Sequence, residues 1–120
     1  MKKKTLIIGA TPNPSRYAYK AAHKLVQHGH SIVNVGVKKG EVANHPIEKP
    51  EQIHDDIDTI TLYVNPTNQK DLYNYILDTK PKRIIFNPGT ENRELAKKAE
   101  DLGIETLEAC TLVLLSINQY

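Results

Sequence analysis

Thr5-Leu6-Ile7-Ile8-Gly9-Ala10-Thr11-Pro12-Asn13-Pro14-Ser15-Arg16 is the stretch that decides the fold. Four apolar or β-branched residues form a short buried strand, and Gly9 ends it. Ser15 is expected to cap a helix that runs to about His28, with Ala18, Ala22, Leu25 and Val26 at helical spacing on one face. Gly29 stops that helix, because a left-handed residue costs glycine little. A strand turning sharply into an amphipathic helix is the first half of a strand-helix-strand unit.

The same pattern recurs along the chain. Residues 31–37 read as a second strand. Residues 38–58 are polar, hold Pro46 and Pro50, and read as an irregular crossover with one short helix near residues 50–54. Residues 59–64, rich in β-branched side chains, give a third strand, and residues 69–79 a helix with Leu72, Tyr75 and Ile76 on one side. Residues 83–86 and 104–107 complete five strands, separated by a helix at 91–102 that turns Leu95, Ala99 and Leu102 inward. The apolar run Leu112-Val113-Leu114-Leu115 lies in a last helix that packs on the core or joins a dimer contact. This alternation predicts an α/β, three-layer Rossmann-like fold of about five parallel strands with helices on both faces. The strand order expected is 3-2-1-4-5, with 2-1-3-4-5 as its rival.

Composition narrows the function classes. A length of 120 residues suits a single domain spanning residues 1–120. Sixteen basic against fourteen acidic residues leave a net charge of +2, too even for a protein that wraps nucleic acid or coats a membrane. Lys2-Lys3-Lys4 leads into an apolar run far too short for a signal peptide, and no stretch is long enough to span a bilayer. The single cysteine, Cys110, forms no internal disulfide, so a reduced, cytoplasmic protein is expected, with Cys110 as a buried structural residue. His23, His28, His30, His45 and His54 show no metal-ligand spacing, and Asp55, Asp56 and Asp58 read as a solvated turn. Neither catalytic nor metal-binding residues are expected.

In such folds ligands lie beyond the carboxyl ends of the strands, which selects the turns at 9–16, 36–40, 64–68 and 87–92. Gly9 admits a close backbone approach, and Thr11, Ser15 and the helix N-terminus offer donors and positive potential to a phosphate. Arg16 adds a charge-assisted contact. An ordinary capped strand-to-helix turn has the same look. The loop lacks the later glycines of G-x-G-x-x-G, which argues against a flat dinucleotide. Val35-Gly36-Val37-Lys38-Lys39-Gly40 carries no acid for ribose hydroxyls; Lys38 suits a ribose phosphate instead, either the 2′-phosphate of NADP or the 3′-phosphate of coenzyme A. Lys38 and Lys39 are equally readable as solvated loop charges.

Taken in order, these motifs resemble the small stand-alone CoA-binding proteins, related to the N-terminal CoA-binding domain of the succinyl-CoA synthetase α subunit. Leu6-Ile7-Ile8-Gly9-Ala10-Thr11-Pro12 is similar to the family's opening strand and turn. Ser15, Arg16, Val64-Asn65-Pro66, Phe86-Asn87-Pro88-Gly89 and Ala109-Cys110 fall where the family has similar residues. Gly36-Val37 departs from the Asn-Pro pair that many relatives carry after the second strand.

The resemblance implies that Gly9, Ala10, Thr11 and Ser15 face the pyrophosphate with Arg16 nearby, and that Lys38 meets a ribose phosphate. It implies that Val64, Asn65 and Pro66 line the adenine or pantetheine path, and that Asn87, Pro88 and Gly89 lie near the thiol end. The synthetase's phosphohistidine belongs to a second domain, so binding of coenzyme A or an acyl-CoA without catalysis is the expectation. An NADP-linked oxidoreductase, or a regulatory subunit with a vestigial nucleotide pocket, is the alternative. The partners expected are a small nucleotide ligand and either a second copy or an enzyme, with neither nucleic acid nor membrane.

Overall fold

The computed structural model describes residues 2–120. Strand β1 (Thr5–Ile8) is followed by α1 (Tyr17–Gln27) and β2 (Ile32–Val35). A short hairpin, β3 (Glu41–Val42) and β4 (His45–Glu48), then leads to β5 (Thr59–Leu62). Next come α2 (Pro66–Gln69), a 3₁₀ turn (Lys70–Leu72) and α3 (Tyr73–Thr79). Strand β6 (Arg83–Phe86), α4 (Arg93–Asp101), β7 (Glu105–Glu108) and α5 (Thr111–Ser116) complete the chain. The seven strands form one sheet in the order β3-β4-β2-β1-β5-β6-β7, parallel except for the β3–β4 pair.

Alternate residues of the central strands feed two cores, as a parallel sheet covered on both faces requires. Leu6, Ile8, Ile60, Leu62, Ile84 and Phe86 pack against Tyr75 and Ile76 of α3 and Leu95 and Ala99 of α4. Ile7 and Ile32 point to the other face, against Ala18, Ala22 and Leu25 of α1 and Leu115 of α5. Burying each of these large side chains contributes roughly 1.5–3 kcal/mol relative to leaving it exposed.

The expected crossover helix near residues 50–54 is absent; that stretch is turn and coil. Residues 45–48 instead form β4, which pairs with β2 through Asn34–Ile47 and Val35–Glu48. Two features build the hairpin. Ala43 and Asn44 both adopt positive φ (53° and 65°), the conformation of the tight turn that matches strand twist. Buried Asn34 donates through Nδ2 to the carbonyls of Val42 and His45, both at 3.1 Å. The expected order 3-2-1-4-5 is therefore corrected. The five strands foreseen run 2-1-3-4-5, and with β4 included the six parallel strands run 3-2-1-4-5-6, because β4 takes the third place.

Three smaller expectations also change. Leu102 is 63% exposed rather than inward, since α4 ends at Asp101. Cys110 is half-buried at the N-cap of α5. Within the run 112–115 only Leu115 is fully packed, and Val113 stays exposed. No helix among the described residues is long and apolar enough to cross a membrane.

Candidate functional site

The strand order reverses direction between β1 and β5, and a cleft of about 480 Å³ opens there beyond the carboxyl ends of the strands. That volume lies within the ~300–1,000 Å³ of small-molecule sites. Its floor is apolar, with Ile8, Val35, Tyr63, Val64 and Leu72. Its charged lining is Arg16 and Lys38, with no Asp or Glu. A concave surface with cations and no carboxylate focuses positive potential on whatever enters it.

Two glycines make the cleft possible. Gly9 has φ +97°, and a Cβ there would lie 3.0 Å from the Tyr63 carbonyl oxygen. A Cβ on Gly36 would lie 2.5 Å from the Ala10 carbonyl oxygen. The first turn thus wedges between the ends of β2 and β5, backbone against backbone. Gly9 and Ala10 both donate their N–H to the Val35 carbonyl, at 2.9 and 3.0 Å. Their glycine and alanine character shapes the loop, and their amides are engaged within it.

The organiser of this loop is Asn13, which sequence reasoning missed. Its Oδ1 accepts from the Ser15 N–H (3.0 Å) and the Ser15 hydroxyl (2.8 Å). The Asn13 N–H donates to the Thr11 hydroxyl (3.3 Å), and its carbonyl accepts from the Arg16 N–H (3.1 Å). Ser15 is therefore not the helix cap. Arg16 occupies that position, and no side chain bonds the first-turn N–H groups of α1. This leaves the positive end of an eleven-residue helix open beside the cleft.

Of the residues named from sequence, Gly9, Ala10, Thr11, Arg16, Lys38, Val64, Asn65, Pro88 and Gly89 line the cleft. Ser15, Pro66 and Asn87 do not. Pro66 starts α2, with Asn65 as its cap through an Oδ1 bond from the Asn68 N–H. Asn87 is 2% exposed, and both polar atoms of its side chain are used inside the fold. Its Nδ2 donates to Thr61 Oγ1 (2.7 Å) and the Leu62 carbonyl (2.8 Å), while its Oδ1 accepts from the Thr111 N–H (2.9 Å). Asn87, which the family resemblance puts near the thiol end, turns its side chain inward, where it fastens α5 to the sheet. A buried amide makes these bonds because leaving it unpaired costs more than any surface contact returns.

Gly36, Val37, Asn68 and Thr90, which fall in the turns selected at 36–40, 64–68 and 87–92 without an individual role there, also line the cleft, as does Leu72, expected only on the apolar side of a helix. Tyr63 forms part of the floor; burial pushes its phenol far above the ordinary range, against partial relief from the neighbouring Thr61 and Thr111 hydroxyls. Burial, with the Glu48 charge, likewise raises the Tyr75 phenol to about 12. Among the described residues no three His, Cys, Asp or Glu side chains cluster as a metal site.

A glycine turn and an open helix N-terminus beside a switch-point cleft, on a mostly parallel sheet, define a domain of the Rossmann-like class. Residues 3–116 match the family model described as a CoA binding domain, and the chain belongs to that family. No curated protein matches it. An uncharacterized protein of known crystal structure is 53% identical, with 100% of this chain and 99% of that chain covered and a TM-score of 0.98. A hypothetical protein from Pyrococcus horikoshii OT3 is 28% identical over 92% of this chain and 80% of that one, with a TM-score of 0.84. A Thermus thermophilus protein, cell-free ID.343, shares the fold at 19% identity, covering 98% and 90% of the two chains, with a TM-score of 0.86.

Proposed function

We propose that the chain binds coenzyme A or an acyl-CoA in the cleft and acts as a binding module, with chemistry on the thioester left to a partner enzyme. The observation that carries this reading is the cleft's charge pattern: Arg16, Lys38 and the open end of α1 around an apolar floor, with no carboxylate. Coenzyme A matches it with a diphosphate, a ribose 3′-phosphate and a long, weakly polar arm. The diphosphate lies at the N-terminus of α1 near Arg16 and Thr11, as helix termini favour. The ribose phosphate meets Lys38 at the end of β2. The pantetheine arm crosses the apolar floor between the loops after β5 and β6. No His, Cys, Asp or Glu lines the cleft, which supports binding over proton-transfer catalysis.

Calorimetry with CoA, dephospho-CoA and NADP tests the reading. CoA is expected to bind about tenfold more tightly than dephospho-CoA, the scale of one charge-assisted contact, and Lys38→Ala is expected to abolish that preference. Equal affinity for the two removes the role of Lys38. Tighter binding of NADP points to a reductase, and no binding of CoA overturns the proposal.

A further inference from the structure

We propose that Gln69 is a positioning residue that sets the separation of the two loops holding the pantetheine half of the ligand; this rests on the CoA reading of the cleft. Gln69 is completely buried, and it is the one polar residue among the largest fully buried side chains. A buried primary amide is costly unless its hydrogen bonds are made. Gln69 makes them across the cleft wall. Its Nε2 donates to the Val64 carbonyl (2.9 Å) and to the Thr90 carbonyl (2.8 Å). Its Oε1 accepts from Asn92 Nδ2 (2.8 Å).

Val64 and Thr90 both line the cleft, one after β5 and the other after β6. The last ladder pair between those strands is Leu62–Phe86. Beyond it, among the described residues, no backbone hydrogen bond joins residues 63–68 to residues 87–92. Asn87 ties the two strands at their carboxyl ends, and Gln69 ties the loops that follow at the rim of the cleft. The network extends outward: Asn92 Nδ2 also donates to the Tyr73 hydroxyl (2.8 Å), which donates to Glu94 (2.9 Å). Asn92 Oδ1 meanwhile caps α4 through the Leu95 N–H (3.2 Å).

The chemistry selects glutamine. Two carbonyls from different loops need two N–H groups on one nitrogen, and Asn92 needs an acceptor on the same group. Glutamate would turn oxygens toward both carbonyls, asparagine is one methylene short, and methionine fills the space without the bonds. Loops held at a fixed separation bind with less ordering cost than loops that must be gathered by the ligand.

The test uses Gln69→Met and, as a milder variant that keeps the α4 cap, Asn92→Asp. Calorimetry compares CoA with adenosine 3′,5′-bisphosphate, which lacks the arm placed between the loops. Each folded variant is expected to lose about tenfold in CoA affinity and less than about twofold for the bisphosphate, the pattern of lost preorganisation on one half of the site. ¹⁵N relaxation is expected to show new motion confined to residues 64–68 and 88–92. CoA affinity within twofold of wild type, or equal losses for both ligands, overturns the proposal while leaving the CoA reading intact. A wild-type protein that binds no CoA overturns that reading, and this proposal with it.

Discussion

Replacing Gly36 by alanine tests the backbone packing that creates the cleft. The new Cβ would sit 2.5 Å from the Ala10 carbonyl oxygen, where real Cβ atoms essentially never come closer than 3.0 Å, so about 0.5 Å must be found. The obstacle is backbone, and it is held by the Gly9 and Ala10 N–H bonds to the Val35 carbonyl. Overpacking of this kind costs ~1–3 kcal/mol, and each weakened hydrogen bond ~0.5–1.5 kcal/mol. A total near 3 kcal/mol follows. Unfolding entropy of about 2.1 cal/mol/K per residue gives about 0.25 kcal/mol/K for this chain, so Tm falls by about 12 °C. Gly103→Ala is the control, because its Cβ would meet nothing within 4 Å. It carries only the left-handed strain of φ +81°, about 1 kcal/mol, or about 4 °C. Thermal melts by circular dichroism read both variants, and calorimetry is expected to show at least a tenfold loss of CoA affinity for Gly36→Ala alone. A Gly36→Ala melt within 3 °C of wild type, roughly the effect of less than 1 kcal/mol, refutes the wedge.

Two further perturbations separate structure from binding. Asn87→Ala orphans the Thr111 N–H and the Leu62 carbonyl, so urea unfolding is expected to show a loss of roughly 3 kcal/mol. CoA affinity of the folded fraction is expected to stay within about twofold, the opposite of what a direct ligand contact does. His30 reports through pH. Burial, and then the charge of Lys2, hold its imidazole below the ordinary 6.5, and its Nδ1 accepts the Lys3 N–H at 2.9 Å. The unfolded chain therefore takes up the proton first. The stability from neutral His30 is present above pH 6.5 and declines as pH falls through 6.5 toward the lower folded value. His30→Asn keeps an acceptor for Lys3, and melts across that pH range are expected to lose this decline; an unchanged slope assigns it elsewhere.

Much of the fold was legible because its signals are local. Leu6-Ile7-Ile8 and Ile84-Ile85-Phe86 are apolar on both faces of a strand, which a doubly covered sheet accommodates; in β5 Ile60 and Leu62 share one face and the β-branched Thr59 and Thr61 the other, all four buried. The β3–β4 hairpin was not legible. Pro46 and the polar residues around it argue against a strand, and the bonds that hold it come from Asn34, eight and eleven residues away. The rule of strand ends pointed to the loops that line the cleft, but the hydrogen-bond partners within them were not legible. Asn13 and Asn87 carry the same amide yet one organises an exposed turn and the other a buried joint, and the side-chain type carries no mark of which partner lies within about 3 Å.

The sequence by itself determined the doubly covered parallel sheet, the first turn, and the replacement of an acid by Lys38 after β2, because periodicity and residue chemistry act over a few positions. Only the tertiary structure decided that Gly36 is needed against Ala10, that Asn87 belongs to the core, and that Gln69 joins two loops. Each of those roles depends on a contact between segments whose distance in space is unrelated to their distance along the chain.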